Sequence, residues 1–239
     1  LAHKPPTPGL PYPLNIPKPI NRRGELVMRL KWHGHSCFEV AGNVKILMDP
    51  HDGESIGLVP PRTAPDIVLV SHDHHDHNAV SIAKGKPVVV KWAGEHSENG
   101  VKILGVETCH DEMDGAKRGK NVAYVFTMDG VRFAHMGDLG HVPTDAQAAQ
   151  IGKVDILMVP VGGLYTVDAK GALDTIAKIR PRVAVPMHYK FGGLKFGIAP
   201  LSNFTNKLPV GVAVREVGSE IDFEAEDLPA SIEYWVFDL

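Results

Sequence analysis

From Leu26 onward the apolar positions fall in short runs broken by turn residues: VMRLKW (27–32), SCFEV (36–40), VKILMD (44–49), DIVLV (66–70), PVVVKW (87–92) and VKILGVE (101–107). Their length and their richness in Val and Ile predict strands. NVAYVFTM (121–128) and VRFAH (131–135) are joined by Asp129-Gly130, a pair that takes positive φ readily and so predicts a tight hairpin.

The 3.6-residue period appears twice. Thr144 can cap a helix over TDAQAAQI, and Asp168 one over AKGALDTIAKI, where Ala169, Leu173, Ile176 and Ile179 share a face before Pro181 stops it. A short apolar run follows each, DILMVPV (155–161) and RVAVPM (182–187), and the chain closes with VAVREV, EIDF and SIEYWVF after a short helix near LSNFTNKL. Many strands with a few covering helices predict an α/β layered sandwich.

Composition adds boundaries. The first 20 residues carry seven prolines, which hold a backbone extended, so residues 1–25 are expected to form a proline-rich amino-terminal segment and 26–239 a single domain. A formal charge of -3 without a run of like charges argues against nucleic acid as a partner. Every apolar run is too short to span a bilayer, so no membrane partner is expected. Cys37 and Cys109 are too few for a disulfide framework and are read as buried thiols, with Cys109 turned into the core. The reading favours a cytoplasmic location, with export after signal-peptide removal as the alternative, and leaves a homo-oligomer open.

The chemistry concentrates behind one strand. DIVLV runs directly into His72-Asp73-His74-His75-Asp76-His77. A loop leaving a rigid strand can aim positions i, i+2, i+4 and i+5, here His72, His74, Asp76 and His77, into one cavity, and imidazole with carboxylate suits Zn, Mn or Fe. His110, Asp138 and His188 recur at later strand ends. Seven donors suit two cations bridged by a carboxylate, at a separation on the order of 3.5–4 Å. A His-rich surface loop with incidental metal affinity is the plainer alternative.

These residues resemble the metallo-β-lactamase superfamily, marked by a His-x-His-x-Asp-His loop followed by His, Asp and His. HGHSCFEV, ILMDP, HMGD, VPVGGLYT and VPMHY are similar to features of its UlaG-like branch of metal-dependent hydrolases, which includes ascorbate-6-phosphate lactonases. The resemblance spans about Met28 to His188 and implies a four-layer αββα sandwich. It further implies His72, His74 and His110 on one metal, Asp76, His77 and His188 on the other, and Asp138 bridging. Asp49 would support the metal loop through hydrogen bonds, and Asp76 could orient the nucleophile or shuttle its proton. Leu139 departs from the related pattern, which has Thr after the aspartate.

The expected cofactors are two divalent ions, zinc first, with Mn, Fe or Ni as alternatives. The expected activity is hydrolysis of a small lactone, ester or phosphoester by a metal-bound hydroxide, with an anionic lactone or ester placed first by the resemblance. A phosphodiesterase or nuclease of the same superfamily and a non-catalytic metal-binding module are the other readings. His35 could meet substrate or carry a proton, and GGLYT (162–166) could wall the site with Tyr165 and Thr166. Lys117, Arg118 and Lys120 are expected on a solvated loop, His75 is expected to point away, and His33, His51, His96 and His141 are expected at the surface or in turns. His135 is expected to pack or to support a ligand.

Overall fold

The computed structural model describes residues 27–239; the expected proline-rich segment, 1–25, lies outside them. The strands are β1 (Met28–Trp32), β2 (Phe38–Ala41), β3 (Lys45–Met48), β4 (Ile67–Leu69), β5 (Val88–Val90), β6 (Gly94–Glu98), β7 (Val101–Cys109), β8 (Lys120–Met128), β9 (Val131–His135), β10 (Ile156–Pro160), β11 (Val183–Met187), β12 (Ala213–Glu216), β13 (Glu220–Phe223) and β14 (Glu233–Val236). The helices are α1 (Asp145–Ile151), α2 (Ala169–Ile179) and α3 (Ser202–Thr205).

Two sheets form, a six-stranded one in the order β13-β1-β2-β3-β4-β5 and an eight-stranded one in the order β12-β14-β11-β10-β9-β8-β7-β6. Each begins as antiparallel hairpins and continues as parallel strands: β3, β4 and β5 in the first, β9, β10, β11 and β14 in the second. The sheets share one core in which Leu30, Phe38, Ile46 and Ile67 face the layer of Phe126, Phe133 and Ile156.

Residue alternation explains why the parallel strands read as unbroken apolar runs. Ile46, Met48, Ile67 and Leu69 enter the shared core, while Leu47, Val68 and Val70 form a second cluster outside with Cys37, against Val80 and Ile82 of a 3₁₀ turn. Both faces are buried, so both registers must be apolar. The chain therefore folds as an αββα sandwich, in which α1 and α2 cover the larger sheet and, among the described residues, that 3₁₀ turn covers part of the smaller one.

The helix ends follow their local chemistry. Thr144 and Gln147 form a reciprocal capping box on α1, and the Asp168 side chain accepts from the Gly171 amide to cap α2, which ends at Ile179. The Asp129-Gly130 turn takes φ of 47° and 82° and closes the β8–β9 hairpin as expected. Strand β6, GEHSE, has no apolar pattern and was not expected. It forms because Asn99-Gly100, at φ of 50° and 81°, folds it back on β7, and that dipeptide was the available signal.

Candidate metal centre

The parallel strands run the same way, so their carboxyl ends open on one edge, the usual place for a site in such a sheet. Asp49 follows β3, His72 to His77 follow β4, His110 follows β7, Asp138 follows β9 and His188 follows β11. The β1–β2 turn brings His35 to the same edge; its carbonyl accepts from Trp32 Nε1 at 3.0 Å and from the His188 amide at 3.2 Å.

A chain of donors aims the rings. The Asp49 carboxylate accepts from the Ser71 amide at 2.7 Å, the Ser71 hydroxyl at 2.6 Å and His77 Nδ1 at 2.9 Å. Ser71 Oγ, having donated to Asp49, is left to accept from His72 Nδ1 at 2.9 Å, and the Tyr165 carbonyl accepts from His110 Nδ1 at 2.9 Å. Each of these rings thus has its Nδ1 proton committed to an acceptor and turns Nε2 inward, the orientation a metal ligand needs.

The inward atoms converge. Asp138 Oδ2 lies 3.2 Å from both His110 Nε2 and His188 Nε2 and 3.9 Å from His72 Nε2, while Asp138 Oδ1 lies 3.3 Å from His77 Nε2. Asp76 Oδ2 stands 3.4 Å from His77 Nε2 and 3.0 Å from His35 Nε2. Within the described residues three donor groups are compact enough to share an ion, the atoms of each within 4.8 Å of one another: His72 with His74 and His110; Asp76 with His77, His188 and His35; and Asp49 with His72 and His77, where Asp49 is already taken up by Ser71 and His77 Nδ1. His72 Nε2, His77 Nε2 and Asp138 Oδ1 are buried without a hydrogen-bond partner. Leaving such groups unmatched costs about 1–3 kcal/mol apiece, and a cation is the partner that would satisfy all three, so the residues present fit the metals expected from the sequence.

Charge is strongly coupled here. Burial works against the Asp138 carboxylate, but His188 and His77 outweigh it and hold that carboxyl well below its ordinary range. Burial likewise opposes a proton on His77, yet Asp138 and Asp76 push its pKa well above normal. Burial dominates at His72 and His35, with repulsion from His77 and His188 respectively adding to it, and each is lowered to about 3.

The edge encloses a cavity of about 320 Å³. Its floor is His74, Asp76, His110, Asp138 and His188; its rim is His75, Arg118, Tyr165 and Phe196. Several expectations change here. His35 is wholly buried and forms none of this wall, so it sits behind Asp76 rather than against a substrate in the cavity. His75 is exposed and belongs to none of the donor groups, as expected, and its side chain stands on the cavity rim. Arg118 belongs to the cavity wall, because Asp111 folds its loop inward, whereas Lys117 and Lys120 stay outside as expected. Thr166 turns inward to the Val167 carbonyl and leaves Tyr165 as the polar wall of GGLYT. His51 is buried, not superficial, with Nε2 2.9 Å from the His33 carbonyl. Leu139 is fully buried, so the position where the related pattern carries Thr offers no polar group to the site. Cys37 and Cys109 are buried free thiols, and His135 packs inside with Nε2 2.8 Å from the Ser36 carbonyl.

Ser71, Asn121, Asp111 and Phe196 went unnoticed in the sequence. Asn121 is the most consequential: its Oδ1 accepts from the Asp138 amide at 2.9 Å, and its Nδ2 donates to Thr108 Oγ1 at 2.7 Å and the Met136 carbonyl at 2.9 Å. One buried amide thus ties the end of β7, which carries His110, to the turn that carries Asp138. Gly137 makes this possible, because it sits at φ 55° and a Cβ there would run into Asn121 Oδ1 and lie 2.5 Å from Ser71 Cβ.

Residues 29–188 match the family described as Beta-lactamase superfamily domain. The UPF0173 metal-dependent hydrolase of Thermoplasma acidophilum is 30% identical over 187 residues, covering 68% of this chain and 83% of the relative. Its counterpart from Thermoplasma volcanium is 31% identical over the same shares. Among solved structures, a Thermotoga maritima protein assigned as a Zn-dependent hydrolase of the metallo-β-lactamase superfamily is 34% identical, with a TM-score of 0.72 over 88% of this chain and 100% of its own. Igni18, a metallo hydrolase from Ignicoccus hospitalis, shares the fold at 23% identity, with a TM-score of 0.61 over 83% of this chain and 99% of its own.

Proposed function

Since the chain belongs to the metallo-β-lactamase superfamily, we propose that it is a metal-dependent hydrolase of the UlaG-like branch, acting on a small lactone, ester or phosphoester. In this reading His72, His74 and His110 hold one divalent ion, Asp76, His77 and His188 hold a second, and Asp138 stands between them. Zinc is the first choice for this set of nitrogen and oxygen donors, which Mn, Fe or Ni would also accept. The observation that carries the reading is the trio of buried, unpartnered atoms, His72 Nε2, His77 Nε2 and Asp138 Oδ1.

Bound at these donors, the ions would supply Lewis acidity, acidifying an attacking water and drawing charge from the scissile oxygen. The protein's own residues do the positioning. Asp49 and Ser71 lock the rings of His77 and His72, and His35 Nε2 holds Asp76 Oδ2 at 3.0 Å, so that the Asp76 carboxylate can orient a water and take up its proton. Tyr165 and Phe196 wall a cavity sized for a small molecule, at the lower end of ordinary ligand sites.

The test is elemental analysis of metal per chain, paired with turnover of a panel of lactones, aryl esters and phosphodiesters before chelation, after it and after metal is restored. About two ions per chain with chelator-sensitive, metal-restored turnover supports the reading. One ion removes the bridging role of Asp138, and neither metal nor turnover after reconstitution ends the hydrolase assignment.

A further inference from the structure

The rim of the cavity carries one permanent positive charge, Arg118, and its setting is built. The Asp111 carboxylate accepts four backbone amides of the loop that follows it: Met113 at 2.8 Å, Gly115 at 3.0 Å, Lys117 at 2.9 Å and Arg118 at 2.7 Å. This clamp fixes residues 111–118 as a compact turn and delivers Arg118 to the wall next to His110. The guanidinium lies over the Tyr165 ring, 5.2 Å from its centroid, an orientation favoured by the cation–π attraction. Tyr165 is itself held through its carbonyl by His110 Nδ1.

Among the described residues that guanidinium has no carboxylate within ion-pair distance and donates no hydrogen bond. Lys120, at the end of the same loop, is engaged differently: it pairs with Glu107 at 3.2 Å. Arg118 therefore faces the cavity with its fork of N–H donors unused, backed by an aromatic face and half-shielded from water. The carboxylates on the cavity floor, Asp76 and Asp138, are engaged with histidines instead.

We propose that Arg118 is a specificity-determining residue that binds an oxyanion substituent, carboxylate or phosphate, on the substrate, set apart from the bond that is cleaved. The preferred substrate class is then a small anionic ester or lactone whose charged group sits at the rim while its scissile group reaches the His and Asp floor. The inference deepens the hydrolase reading and rests on it for the word substrate; the oxyanion site itself rests on Arg118, Tyr165 and the Asp111 clamp.

The experiment separates the two. Binding of inorganic phosphate to the metal-loaded full chain is measured by titration calorimetry for the unaltered protein, Arg118→Lys and Arg118→Gln. In parallel, kcat/KM is measured for a matched pair of aryl esters that differ only in a terminal carboxylate or carboxamide. We expect Arg118→Gln to weaken phosphate binding roughly tenfold or more and to reduce the anionic-over-neutral preference by a similar factor, with Arg118→Lys in between because it keeps the charge and loses the fork. Equal phosphate affinity in the unaltered protein and Arg118→Gln overturns the proposal, whatever the turnover. Phosphate binding that depends on Arg118, with no ester hydrolysed, upholds the oxyanion site and instead counts against the hydrolase reading. Circular dichroism of both variants checks the fold, which is expected to match that of the unaltered protein.

Discussion

Replacing Asn121 with Ala tests whether the site is held by the buried amide between β7 and β9. The side chain is fully enclosed, and its removal strips partners from the Asp138 N–H and the Met136 carbonyl, while Thr108 Oγ1 keeps its own bond to the Asn121 carbonyl at 3.2 Å. Two buried groups left unmatched at about 1–3 kcal/mol each, plus a small cavity, give an expected destabilisation on the order of 3–4 kcal/mol. That is a large share of the roughly 5–15 kcal/mol by which a domain is stable.

The functional effect is separable from the stability effect. Asp138 loses the bond that orients its backbone, so metal affinity should fall by about 10- to 100-fold, the usual consequence of releasing a ligand's support. Thr108→Ala is the control: it removes the partner of Nδ2 at 2.7 Å but leaves the Asp138 amide bonded, so it should cost stability with a far smaller loss of affinity. Urea unfolding of the chelated proteins gives the first quantity, and competition with a chromophoric chelator gives the second. If Asn121→Ala costs under about 1 kcal/mol, or binds metal as tightly as Thr108→Ala does, the reasoning is wrong.

Four further outcomes are expected. Asp49→Asn should lower metal affinity about 10- to 100-fold in the same competition assay, because His77 and Ser71 lose a charged acceptor. Gly137→Ala should destabilise the chelated protein by about 2 kcal/mol or more, since φ 55° and the Asn121 and Ser71 contacts both resist a Cβ; urea midpoints measure it. Chelation should lower the thermal midpoint, and restoring metal should raise it progressively with concentration, as each site adds about 2.7 kcal/mol of stability at a hundred times its Kd. Asp111 is the acid-sensitive clamp: burial works to raise its carboxyl, but the amides of Arg118, Met113, Lys117 and Gly115 prevail and hold it at about 2, below the ordinary 3.8. A depressed carboxyl stabilises above its unfolded pKa and loses that contribution as pH falls through the folded one, so thermal midpoints of the chelated protein should drop between pH 4 and 2 more steeply than those of Asp111→Asn.

Much of this was legible because the fold and the site speak in different residue classes. The parallel strands are buried on both faces, so β4, β10 and β11 had to be apolar throughout, and the polar residues that follow strand runs at their carboxyl ends stand out as His72 to His77, His110, Asp138 and His188. What stayed hidden has no such contrast. Strand β6 is polar on both sides and exists through its turn and its pairing with β7. Asn121 and Ser71 are ordinary polar letters at strand ends, and nothing in their neighbourhood along the chain marks partners that arrive from β7, β9 and the β3 end. Arg118 looked like one cation among three on a Gly-containing loop; the four amide bonds to Asp111 distinguish it, and they appear only once the loop is closed.

The same edge concentrates backbone strain, and that also can be measured. Of the described non-glycine residues with positive φ, His35 at 55°, Asp49 at 45° and His188 at 54° lie at the site. Left-handed backbone costs a residue with a Cβ about 1–2 kcal/mol, a cost that persists only where the surroundings enforce it. At His188 they do: β11 holds the preceding residue, and the His188 amide is bonded to the His35 carbonyl. His188→Ala and His188→Gly delete the same ring, so their difference isolates the backbone. At an ordinary strand position Ala is the more stable of the two by about 0.5–1 kcal/mol, from the entropy of Gly. At position 188 relief of the left-handed strain should exceed that entropy and reverse the order, leaving the Gly variant ahead by about 0.5–1 kcal/mol in urea unfolding of the chelated protein. If the Ala variant is as stable or more so, the edge is not strained as its dihedrals imply, and the directions in which His35, Asp49 and His188 present their side chains must be fixed by hydrogen bonding alone.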